Sequence, residues 1–126
     1  MKYVVLISDP ADADLDRMNV FNNRRDPDYA ARWEADLNRA IEELTGFPGP
    51  LSHARDEAAS DHYGREVRRM LYYGLTKRRT GRPVRILFTV LPPDPDEPPE
   101  TAESVILLLR LLHGAQPLLI PDDPAE

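Results

Sequence analysis

Two apolar runs constrain this chain more than anything else in it. Val84-Arg85-Ile86-Leu87-Phe88-Thr89-Val90-Leu91 and Val105-Ile106-Leu107-Leu108-Leu109-Arg110-Leu111-Leu112 flank a stretch, Pro92 to Glu103, that holds five prolines and five acids. Each run is too short to cross a membrane as a helix and is bounded by turn residues, so both read as central strands. One arginine interrupts each run, Arg85 in the first and Arg110 in the second. A cation on a strand otherwise built for burial needs an acidic partner or a function.

With 126 residues the chain can bury a core without disulfide or metal staples. The expected organisation is a single domain over 1–117, with an acidic proline-rich insert at 92–103 and a tail at 118–126. No cysteine is present, which removes thiolate metal sites and fits a reducing cytoplasm. The opening Met1-Lys2-Tyr3-Val4-Val5-Leu6-Ile7 is too brief an apolar run for a signal peptide, and no stretch has the length of a membrane span. A cytoplasmic protein with no membrane partner is expected.

Charge is unevenly spread. From His62 to Leu91, eight basic residues (Arg65, Arg68, Arg69, Lys77, Arg78, Arg79, Arg82, Arg85) stand against the single acid Glu66, although the whole chain carries −6. A basic middle on an acidic body favours a local anionic partner, nucleic acid or an acidic protein segment. A solvated arginine-rich hairpin is the plainer explanation of the same residues.

Taken in order, Lys2 to Ser8 is a first strand whose contiguous Val4, Val5, Leu6 and Ile7 suggest cover on both faces. Asp9-Pro10 ends it. Ala11 to Asn22 is a helix by spacing, with Leu15, Met18 and Phe21 inward and Asp12, Asp14, Asp16 and Arg17 facing water. Asp26 caps a second helix that starts at Pro27, with Asp28 complementing its dipole. Tyr29, Trp33, Leu37, Ile41 and Leu44 form its apolar stripe, and Gly46 and Pro48 stop it. Ser52 to Ser60 is a short polar helix capped by Ser52.

His53, Asp56, Glu57, Asp61 and His62 lie close in sequence, but without the i, i+4 histidine pair of the stronger metal motifs, so neither metal nor cofactor is expected. Val67 to Tyr73 is the second strand. Gly74 to Pro83 is a hairpin loop carrying Lys77, Arg78, Arg79 and Arg82 into the third strand, which runs back antiparallel. The order strand, helix, helix, strand, strand, strand gives an α+β, two-layer fold. Its helices form an antiparallel hairpin on one face of a four-stranded, mainly antiparallel twisted sheet.

Assembled in this order, the segments resemble the RelE/ParE superfamily of type II toxin–antitoxin toxins. Met1-Lys2-Tyr3-Val4-Val5-Leu6 followed by Ala11-Asp12-Ala13-Asp14-Leu15 is similar to the family's opening strand and helix start. Tyr29-Ala30-Ala31-Arg32-Trp33 through Ala40-Ile41-Glu42-Glu43-Leu44 and Phe47-Pro48 resembles its second helix. Val67-Arg68-Arg69-Met70-Leu71-Tyr72, Arg85-Ile86-Leu87-Phe88-Thr89-Val90 and Leu112-His113-Gly114-Ala115-Gln116-Pro117-Leu118 resemble its last three strands.

The resemblance implies cleavage of messenger RNA, usually on the ribosome, or inhibition of DNA gyrase. It also implies a cognate antitoxin whose C-terminal segment wraps the toxin in a hetero-oligomer. For a metal-independent endoribonuclease it marks Arg85, His113 and Arg69 as catalytic, with histidine suited to proton transfer near neutrality. Arg68, Lys77, Arg78, Arg79, Arg82 and Arg110 are then contacts for RNA or antitoxin. Three departures stand beside this. Gly114 replaces an arginine frequent in nuclease members, Gln116 replaces the arginine of His-Gly-Ala-Arg, and no tyrosine follows Tyr73. A gyrase inhibitor without catalysis, or a non-toxic antitoxin-binding domain, are the alternatives.

Overall fold

The computed structural model describes residues 2–75 and 83–113. These fold as α+β, with strand β1 (Lys2–Ile7), helices α1 (Asp9–Arg25) and α2 (Pro27–Glu42), helix α3 (Glu57–Tyr63), and strands β2 (Arg68–Tyr72), β3 (Val84–Leu91) and β4 (Glu103–His113). Short 3₁₀ turns occupy Glu43–Thr45 and Pro50–Ser52. The sheet is mixed, in the order β1-β4-β3-β2, with β1 parallel to β4 and the other pairs antiparallel. Among the described residues, no helix is long and apolar enough to cross a membrane.

Asp9-Pro10 begins α1 rather than separating it from β1. The Ser8 hydroxyl accepts from the Ala11 N–H at 3.3 Å, and a proline in the first turn costs nothing because the N–H it lacks would have no helical partner there. Asp26 then serves both helices. Its N–H closes α1 on the Asn22 carbonyl at 2.9 Å, and its Oδ1 caps α2 through the N–H groups of Asp28 and Tyr29. One aspartate thereby sets the tight corner that turns α1 back along α2.

The main core lies between these helices and one face of the sheet. Leu15, Trp33, Leu37, Ile41 and Leu44 meet Met70, Tyr72, Ile86, Phe88, Ile106 and Leu108 there. Each such aliphatic or aromatic side chain contributes about 1.5–3 kcal/mol of burial. The opposite face carries a smaller cluster in which Ala59 of α3 packs with Val67, Leu87 and Leu112. The α3 helix starts later than the spacing suggested. Asp56, not Ser52, caps it by accepting from the Ala59 N–H at 2.9 Å.

Three further expectations change. Contiguous apolar residues do not give β1 cover on both faces, because it is an end strand, and Leu6 and Ile7 stand 54% and 42% exposed. Phe21 is exposed rather than inward. Asp14, expected to face water, is buried at 2% exposure. Its Oδ2 accepts from Arg110 Nε at 2.7 Å and from the Leu111 N–H at 2.8 Å, while Oδ1 accepts from Arg110 Nη2 at 3.2 Å and from Arg17. The acid that Arg110 required is therefore on α1. The 92–103 stretch is exposed and makes two turns, with the Glu97 N–H on the Asp94 carbonyl and the Thr101 N–H on the Pro98 carbonyl.

Arg110 sits at a change of phase in β4. Leu87 pairs with Arg110 and the next residue, Phe88, with Leu108, so the ladder shifts register there. Leu108 faces the main core and Leu109 the smaller cluster, yet Leu111 returns to the main core and Leu112 to the smaller one. Such a bulge re-aims every later side chain. Here it turns His113 toward the helices.

Asp14→Ala is expected to cost about 3–5 kcal/mol in urea unfolding, because it strands a buried guanidinium. Asp14→Leu with Arg110→Met should recover part of that loss, although it leaves the Leu111 N–H without its carboxylate. A single-mutant loss near zero would show that the pair does not anchor α1. Tyr72 gives a second test. Its hydroxyl donates to Asp36 Oδ2 at 2.7 Å, and burial, then this bond, pushes its pKa well above the usual value of 10. The proton is held more tightly folded than unfolded. Stability from this group is thus complete below pH 10 and is lost as pH rises beyond it. Tyr72→Phe should cost about 1–3 kcal/mol at neutral pH and flatten the alkaline limb of the stability profile.

Candidate functional site

The basic residues of β2 are held by protein. Arg68 Nη1 donates to the carbonyls of His53 at 2.6 Å and Leu51 at 3.2 Å, and its Nη2 lies 3.2 Å from Glu66. Arg69 Nη1 donates to the Arg55 carbonyl at 3.1 Å and lies 3.7 Å from Asp56. Backbone bonds complete the attachment, from the Arg69 N–H to the Ala54 carbonyl and from the Asp56 N–H to the Val67 carbonyl. The Ser60 hydroxyl brackets Val67, accepting from its N–H and donating to its carbonyl. The two arginines thus clamp the 51–56 segment along the free edge of β2. His53 lies in that clamp with its ring edge-on to Phe88 at 6.0 Å; desolvation, then the Arg68 charge, lowers its pKa.

Arg85 stands on β3 opposite Leu71 and Leu112, two positions from Arg69's partner Leu87. Strand alternation puts Arg85 and Arg69 on the sheet face that carries α3. His113 pairs with Val84, which belongs to the main core, and faces the other side. The sheet therefore separates His113 from Arg85 and Arg69. Arg110 is turned inward onto Asp14. Lys77, Arg78, Arg79 and Arg82 lie outside the described residues, as do Gly114 and Gln116.

His113 instead borders a cleft of about 870 Å³ between α1, the start of α2 and the adjoining ends of β2 and β4. Its floor is apolar, with Trp33 and Tyr72 packed edge to face at 5.9 Å beside Leu111. Its rim combines Arg17 and Arg25 from α1 with Tyr29, Tyr73 and His113. The Arg25 guanidinium lies 5.6 Å from the centre of the exposed Phe21 ring, a cation–aromatic contact that orients it along the rim. The acids at this cleft already have partners. Asp14 is bound to Arg110 and Arg17, and Asp26 caps α2. What remains suits a planar, anionic ligand, with rings below, cations at the side and an imidazole at the edge.

Sequence spacing did not point to Arg17, Arg25, Tyr29 or Tyr73 as a group. Arg17 was expected to face water and Tyr29 to join the buried stripe, and the bulge that brings His113 beside them is hidden in an uninterrupted run of leucines. The arginine set among leucines at position 110 was the available signal, since a buried cation calls for an acidic partner or a function. Among the described residues, no group of three or more His, Cys, Asp or Glu could hold a metal ion.

No family model, no curated protein and no solved structure matches this chain.

Arg68→Met should release the clamp at a cost of about 1.5–3 kcal/mol, the range for hydrogen bonds from a charged group. Hydrogen exchange should speed up at the Asp56 and Arg69 amides while the β3–β4 amides stay protected. Unchanged exchange at 54–56 would show that the backbone bonds alone hold this segment.

Proposed function

We propose that this chain is the toxin of a type II toxin–antitoxin system, RelE/ParE-like, which arrests growth by cutting messenger RNA at the ribosome. The enzyme is a metal-independent endoribonuclease of the cytoplasm, and a cognate antitoxin neutralises it in a hetero-oligomer. The β-α-α-α-β-β-β course, with α1 and α2 packed on one face of a four-stranded sheet and the short α3 on the other, supports the α+β part of the family reading. The observation that carries the nuclease reading is His113 at the rim of a cleft that also offers Arg17, Arg25, Tyr29 and Tyr73.

In this reading a nucleotide base rests on the aromatic floor and its phosphate meets the α1 guanidiniums. His113 takes the proton of the 2′-hydroxyl as that oxygen attacks phosphorus. The new O2′–P bond forms as the P–O5′ bond breaks. The arginines stabilise the charge that builds on the phosphoryl oxygens, and the departing 5′-oxygen takes a proton from water. Arg85, on the far face, then serves the antitoxin rather than the scissile phosphate, while Arg69 holds the 51–56 segment.

One observation favours a second reading. Arg69, Arg85 and His113 were expected to act together, and they do not share a face of the sheet. A gyrase inhibitor needs no such convergence, only a surface.

Induction of the chain alone, with growth and total RNA followed together, tests both. Wild type is expected to arrest growth with cleaved messages. His113→Ala should lower cleavage by roughly two to four orders of magnitude, the usual worth of a general base, and Arg25→Ala should also lower it. Arg85→Ala should leave cleavage near wild type while weakening rescue by the antitoxin. Arrest with intact messages and blocked supercoiling would replace the nuclease reading with the second. Normal growth would leave a non-toxic antitoxin-binding domain.

A further inference from the structure

Among the described residues, no strand pairs with the outer edge of β1 and no backbone bond reaches it. Its parity can be read from one contact. The Ser8 N–H donates inward to the Leu108 carbonyl at 3.1 Å. Along a regular strand, the backbone groups of Val4 and Leu6 then face β4 with those of Ser8, while Tyr3, Val5 and Ile7 direct theirs outward. This edge, Lys-Tyr-Val-Val-Leu-Ile, has a single charge, Lys2 at its start, and no proline, glycine or bulge. Leu6 is in register with Leu107 and Ile7 with Leu108, so an exposed apolar side chain stands on each face of the strand's end.

We propose that β1 pairs antiparallel with β1 of a second copy of this chain, joining the two sheets into one. The backbone parity selects the register. A twofold axis through Val5 sets Val5 opposite itself and Tyr3 opposite Ile7, so every outward N–H and C=O finds a partner. An axis through Val4 leaves Ile7 without a strand partner, and one through Leu6 sets Tyr3 against Asp9, which already belongs to α1.

The Val5 axis also covers what is exposed. Leu6 meets Val4 of the second copy on one face, and Ile7 meets its Tyr3 on the other. Lys2, the strand's sole charge, arrives opposite Ser8 and beside Asp9 of the second copy, an acid in the first turn of α1. A foreign strand would have to supply this pattern, whereas the chain's own β1 already has it. The pairing is independent of the reading of the cleft.

The test uses the full chain with no tag at its N-terminus, by sedimentation velocity and amide exchange across a dilution series. A dimer is expected, in which the Tyr3, Val5 and Ile7 amides lose protection by roughly tenfold or more on dilution. The amides of Val4, Leu6 and Ser8, bonded within the sheet, should not change. Val5→Pro removes an outward donor and trims a partly buried side chain while sparing the inner ladder, and Leu6→Lys changes an exposed side chain. Both should sediment as folded monomers with unchanged circular dichroism. A monomer at every concentration overturns the proposal and leaves the edge to a strand of another protein. So does a dimer in which Tyr3, Val5 and Ile7 exchange no more slowly than in the monomer.

Discussion

The bond between Asp14 and the Arg110–Leu111 corner of β4 is the contact on which the rest of the arrangement depends. A carboxylate at this depth would be costly alone, and so would the guanidinium. Together, with a backbone N–H and Arg17 as further donors, they leave neither charge without partners. The effect is positional more than energetic. An apolar pair could fill the same volume, but it would not reward one rotation of α1 over the sheet or one placement of the bulge. Asp14 does both, because it reads a side chain and the adjacent backbone N–H at once.

From that bulge follows the division of the sheet. Before it, β4 alternates Ile106 and Leu108 into the main core; after it, Leu111 takes that role and His113 follows on the same side. A single extra residue thereby decides which layer the histidine serves. It also explains why three residues that look like one catalytic set in sequence are spread over two surfaces. Arg69 and Arg85 keep the phase of β2 and β3, and His113 takes the shifted phase of β4.

Much of this architecture was legible in advance, and what was missed has a common cause. Periodicity located the second helix, because Trp33, Leu37, Ile41 and Leu44 repeat on a buried stripe, and Asp26-Pro27 marked its start. Periodicity failed where one element's phase depends on another. Asp14 reads as a solvent-facing acid until Arg110 is set opposite it, although an arginine within leucines already called for such a partner. Bulge position is unreadable in Leu107-Leu108-Leu109-Arg110-Leu111-Leu112, since every register offers an apolar residue to each face. The same ambiguity misplaced β1, for a run of apolar residues describes a strand able to be covered on two faces, not one that is.

Counting cations is not counting donors free to bind, and the difference bears directly on function. The excess of cations between His62 and Leu91 suggests a binding surface, yet a guanidinium acts on a ligand only with donors to spare. Arg68 spends its on the Leu51 and His53 carbonyls and on Glu66, and Arg69 on Arg55 and Asp56. These charges stabilise a loop against a sheet edge, which is structural work. The cations that border the cleft, Arg17 and Arg25, come from α1, which carries more acids than bases and attracts no notice by composition. Asp14, already bound by Arg110, cannot fully neutralise Arg17 as well, so the buried pair that anchors the helix also leaves positive charge at the cleft's rim. Fold and site are coupled at that one carboxylate, and a sequence-wide charge balance averages the coupling away.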